Sequence, residues 1–218
     1  MKELKKIIVN KSLKLDCGET IINYPIAYET YGKLNDKKDN AILAFHALTG
    51  DQFLTGINPV TNKKGWWTYL IGPSKPIDTN KFFVICANVI GGCMGSFGPS
   101  TVDEKSKKPL GTSFPVITIN DMVNAQYNLL DHFKIKKLFC VIGGSMGGMQ
   151  VLQFVSNFPN AAKNAIPIAC TASHSAQNIA FNELARQSIM ADNNWDKGDY
   201  VNKEKSPDKG LAVARMAA

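Results

Sequence analysis

A chain of 218 residues, 44% hydrophobic and 20% charged, has the size and composition of a folded domain with a substantial core. No stretch nears the ~20 apolar residues of a membrane span, which argues against a membrane partner. The net charge of +7 comes from lysines spread over the whole length, with only Arg186 and Arg215 as arginines, so the basic cluster of a nucleic-acid binder is missing.

The opening "MKELKKIIVNKSLKLD" has charge but no apolar core of a signal peptide, so a cytoplasmic protein is expected. "PIAYETYG" (25–32) and "AILAFHALTG" (41–50) read as strands parted by a polar turn. "KFFVICANVIGG" (81–92) is a continuous apolar run closed by glycines, as in a strand buried on both faces. Val123, Tyr127 and Leu130 share one face of a helix over 119–135, with Asp121 as its expected cap. A buried strand follows at 136–145, then a helix at 146–159 ended by Pro159. A further strand spans 163–173, and a helix spans 176–192. Strands alternating with helices argue an α/β fold with a doubly wound, mostly parallel sheet. From 193 on the chain is polar and turn-rich, until "LAVARMAA" begins a helical pattern. The expected division is a core over 1–194 and a second region over 195–218. Cys17, Cys86, Cys93, Cys140 and Cys170 form no C-x-x-C pair and read as reduced, mostly buried thiols.

The chemistry centres on "CVIGGSMGGMQ" (140–150). Gly143-x-Ser145-x-Gly147 between an apolar strand and a helix fits a nucleophile elbow, a turn so sharp that Cβ atoms two residues either side of the serine would collide. The competing reading is a tight glycine-rich turn that only packs or binds phosphate. A P-loop is excluded, because no G-K-[ST] follows. For the oxyanion formed when Ser145 attacks a carbonyl, the expected donors are the N–H groups of Met146 and of Leu48, in the loop "HALTG" (46–50). Of the three histidines, His46 reads as a packing or loop-orienting residue and His132 as solvated. His174 follows Ser145 too closely for the late base of this chain order.

The motifs "HALTGD" (46–51), "NVIGGCMGSFGPS" (88–100), "FPVITINDMV" (114–123), "GGSMGGMQVLQF" (143–154), "NELARQSIMAD" (182–192) and "GLAVARM" (210–216) resemble the homoserine O-acetyltransferase family. The resemblance implies an α/β-hydrolase fold, here truncated before the helical lid and the C-terminal strands. It implies Ser145 as the nucleophile that takes an acetyl group from acetyl-CoA, a co-substrate rather than a bound cofactor, and passes it to L-homoserine in methionine biosynthesis. Arg215 matches the family arginine that holds the amino-acid substrate, a role suited to the two-pronged guanidinium grip on a carboxylate. Arg186 reads as structural. A homodimer is expected of the full-length protein, and the catalytic Asp and His are expected beyond Ala218.

Three rivals stand beside this reading. One is a succinyl donor or a serine acceptor, and another is an esterase on the same fold, with a wide wet pocket in place of a dry tunnel. The third is a degenerate copy without catalysis. Taken as 218 residues alone, the chain is expected to be an almost inactive fragment.

Overall fold

The computed structural model describes residues 4–201 and 203–217. The chain divides into two compact units, Met1–Gly98 with Pro115–Thr171, and Pro99–Phe114 with Ala172–Ala218.

The first unit is built on a six-stranded sheet. Its strands are β1 (Lys6–Val9), β4 (Tyr24–Tyr31), β5 (Ala41–Phe45), β8 (Phe83–Ala87), β9 (Leu138–Gly144) and β10 (Ala162–Ile168), in the spatial order β1-β4-β8-β5-β9-β10. Two-residue strands β2 (Leu13–Lys14) and β3 (Thr20–Ile21) pair with each other, as do β6 (Ile71–Gly72) and β7 (Ile77–Asp78). β1, β4 and β8 pair antiparallel, whereas β8, β5, β9 and β10 run parallel. The mostly parallel sheet therefore has an antiparallel flank formed by the N-terminal segment.

Every residue of β5 and β8 is buried, which explains why their sequences are continuous apolar runs. Successive side chains point to opposite faces. Leu43, Phe45 and Ile85 pack with Val123, Leu129, Val151 and Phe154 on one face. Ile42, Ala44, Val84 and Ile142 pack with Leu54 and Ile71 on the other. The helical residues come from α1 (Ile119–Phe133) and α2 (Met146–Asn157), and the Tyr127 ring of α1 stacks at 3.7 Å on that of Phe158, just past the end of α2.

The start of α1 differs in detail from the sequence reading. Thr118, not Asp121, is the N-cap, and Asp121 is the reciprocal partner three residues on in a capping box. Asp121 also accepts the Asp16 N–H at 3.0 Å, which ties the β2–β3 hairpin segment to the helix start. The cysteines also differ. All five are free thiols, but only Cys86 and Cys140 are buried, while Cys17 and Cys93 are exposed.

β10 is the sheet edge, and six of its seven residues are exposed, Ile166 and Ile168 among them. In the second unit, α3 (Ala176–Met190) and α4 (Asp208–Ala217) pack closely. A Cβ on Gly210 would stand 2.3 Å from the Ser188 carbonyl oxygen, so only glycine permits that approach. Among the described residues, no helix is long and apolar enough to cross a membrane.

Candidate active site

Ser145 stands between β9 and α2 with φ 55° and ψ −122°. A serine at positive φ is strained, and its surroundings enforce it. A Cβ on Gly143 would lie 2.4 Å from the Gly147 carbonyl oxygen, and one on Gly147 would lie 2.2 Å from that of Phe45. No side chain fits at either position, so the glycine spacing is a steric requirement of the turn. The Ser145 N–H donates to the Ile168 carbonyl at 3.0 Å, carrying the β9–β10 ladder one residue into the turn. Ser145 is exposed and its side chain makes no helix-capping bond, which leaves Oγ free to react. The first N–H groups of α2, beginning with Met146, have no acceptor within the helix and carry its partial positive charge.

Beside this turn lies the exit of β5. Gln150, in the second turn of α2, donates through Nε2 to the His46 carbonyl at 3.2 Å. Its Oε1 accepts from the Gln126 amide at 2.7 Å, so a buried pair of glutamines joins α1, α2 and β5. The His46 ring is 1% exposed. Nδ1 lies 2.8 Å from the Ala47 carbonyl oxygen, and Nε2 lies 3.0 Å from the Val89 nitrogen and 3.3 Å from Asn88 Nδ2. Burial holds the His46 pKa below the ordinary histidine value, which favours the neutral ring. Leu48 follows, 70% exposed, and its N–H has no acceptor among the described residues.

Leu48, Ser145 and Met146 thus all belong to the first unit, on a β5 exit and an α2 start that abut through Gly147 and Gln150. Arg215 belongs to the second unit, exposed on α4. His132 is exposed against Tyr28 and Phe133. His174 is exposed between β10 and α3. Arg186 bonds Glu183 one helical turn away, at 2.6 Å.

Four amides of the glycine-rich loop after β8 are engaged within the protein. Gly91 N–H donates to Phe97 O, Gly92 N–H to Val89 O, Met94 N–H to Asn88 Oδ1, and Phe97 N–H to Pro25 O. The sequence reading missed Gln150, Asn88 and Val89. Gln150 had left a signal, because it is a polar residue within the buried stripe Gly147, Val151, Phe154 of α2. Val89 acts through its backbone and left none.

The alpha/beta hydrolase fold family model matches residues 40–218. The chain is 73% identical over 215 residues to a homoserine O-acetyltransferase of Pelagibacter ubique, covering 99% of this chain and 58% of that protein. A crystal structure of homoserine O-acetyltransferase from Bacillus anthracis superposes with a TM-score of 0.89 at 30% identity, over 99% of this chain and 60% of that one. An acetylester hydrolase from Corynebacterium glutamicum superposes at 0.84, also at 30% identity, over 99% of this chain and 57% of that one. The chain spans about half the length of the curated relatives it matches.

Proposed function

The chain belongs to the alpha/beta hydrolase fold family, and from that premise we propose that it carries the nucleophile and oxyanion donors of a homoserine O-acetyltransferase. Ser145 Oγ attacks the thioester carbonyl of acetyl-CoA. The carbonyl oxygen becomes an anion between the Met146 and Leu48 N–H groups, and the coenzyme A sulfur departs with the proton lost by Ser145. The hydroxyl of L-homoserine then attacks acetyl-Ser145, forming O-acetylhomoserine and restoring the serine. Arg215 is assigned to the homoserine carboxylate. The base and acid that serve Ser145 are assigned to the part of the full-length protein that this chain does not span. We further read that protein as a cytoplasmic homodimer acting in methionine biosynthesis.

The observation that carries this reading is the Ser145 backbone, held at φ 55° by two glycines that nothing larger could replace. Acetyl as the acyl group and homoserine as the acceptor are supported by the name of the 73%-identical relative. An ester hydrolase is the second reading, favoured by the likeness to the Corynebacterium enzyme.

The test uses the full-length protein with acetyl-CoA and follows free thiol with and without L-homoserine. Thiol release that requires homoserine, together with acetyl-Ser145 seen by mass spectrometry when homoserine is withheld, is the expected result. Ser145→Ala should lower kcat by about 10⁶. Equal release without homoserine would favour the hydrolase, and an active Ser145→Ala variant would sink both readings.

A further inference from the structure

We propose that His46 is a positioning residue, which aims the Leu48 N–H at the oxyanion by fixing the peptide plane between Ala47 and Leu48. The inference rests on the reading of Ser145 as an acyl-accepting nucleophile.

The peptide is trans, as is every peptide bond among the described residues, so its C=O and N–H point in opposite directions. Whatever fixes the Ala47 carbonyl therefore fixes the Leu48 N–H. Two donors hold that carbonyl, the Gly50 N–H at 2.9 Å and His46 Nδ1–H at 2.8 Å. The preceding carbonyl, that of His46 itself, is held by Gln150. With both carbonyls engaged by protein donors, the Leu48 amide is directed away from them, and it has no acceptor among the described residues.

Only one tautomer of the ring can do this. Nε2 faces the Val89 N–H and must accept, so the single proton of the neutral ring sits on Nδ1. Asn88 fixes the same choice independently. Its Oδ1 accepts from Met94, which turns Nδ2, a donor, toward His46 Nε2. The loop after β8 thus sets the proton on the ring, and the ring sets the peptide after β5.

Two substitutions in the full-length protein separate the ends of the ring. His46→Asn places an amide N–H near the position of Nδ1 and keeps the bond to Ala47. His46→Gln reaches the Nε2 position, accepts from Val89 and leaves Ala47 to Gly50 alone. With both variants folded, the Gln form should lose about 10²-fold in kcat with KM for either substrate within about threefold, and the Asn form should stay within about fivefold of wild type. A Gln variant at wild-type kcat, or an Asn variant as impaired as the Gln one, would overturn the proposal. Should either variant not fold, the wild-type ring answers by its imidazole nitrogen shifts. The Nδ1–H tautomer near pH 7 supports the proposal, and an Nε2–H tautomer or an imidazolium overturns it. Hydrolysis of p-nitrophenyl acetate is followed in parallel. A wild type that cleaves this ester but does not acetylate homoserine refutes the transferase reading, and the His46 comparison then stands on ester hydrolysis.

Discussion

At Gly147 the choice of residue is set by one oxygen atom. A methyl group there would stand 2.2 Å from the Phe45 carbonyl, while one on Gly144, just before the serine, meets nothing within 4 Å. Gly147→Ala is therefore expected to cost about 1–3 kcal/mol through forced displacement of β5 or α2. Gly144→Ala should fall within about 0.5 kcal/mol of wild type. Urea denaturation of both variants checks the contrast. His46 gives a second test at this scale, through pH. Its folded-state pKa is depressed by burial, with Asp51 the charged neighbour that opposes the shift. Below the unfolded value of about 6.5, the unfolded chain gains a proton that the folded ring resists. The stability present above that pH should fall as the medium is acidified toward the folded pKa. The slope between pH 7.5 and 5.5 should be steeper in wild type than in His46→Asn, as thermal melts would record. The nucleophile was legible in the sequence because its glycines are a steric code. The bracing of the loop was not, because it runs through backbone groups of residues far apart in the chain.

Among the elements, α1 depends most visibly on its first turn. Asp121 is buried and accepts the Thr118 N–H at 2.9 Å and the Asp16 N–H at 3.0 Å. Asp121→Ala leaves both donors unmade and should cost about 2–4 kcal/mol, against about 1 kcal/mol for Thr118→Ala. Guanidinium denaturation curves of the two variants would rank them. The helix itself was readable from its apolar periodicity, but Asp121 was misplaced by three residues because both partners of a capping box look like caps in sequence. β10 teaches a different lesson. Its apolar letters identify a strand, yet Ile166 and Ile168 are 45% and 39% exposed, because burial depends on what lies across the edge. An exposed apolar edge invites pairing with another chain. The 218-residue chain alone should self-associate at micromolar concentration, and Ile166→Lys should shift it toward monomer in light scattering.

For the whole molecule, the parallel half of the sheet followed from the alternation of apolar runs and amphipathic helices. The antiparallel flank did not, because β1 is four residues long and only Val9 of it is buried. The same sheet order gathers the exits of β5, β8 and β9 side by side, though their sequences lie far apart. The last brace of Ser145 comes later still, from the carbonyl of Ile168. A ribosome releases these parts in numerical order, from the His46 loop to the β10 edge. Until β10 has emerged and paired, the growing chain lacks the carbonyl that braces the Ser145 turn. The Ser145 turn is thus fully braced only after β10 has joined β9, so its geometry reports that this part of the sheet has formed.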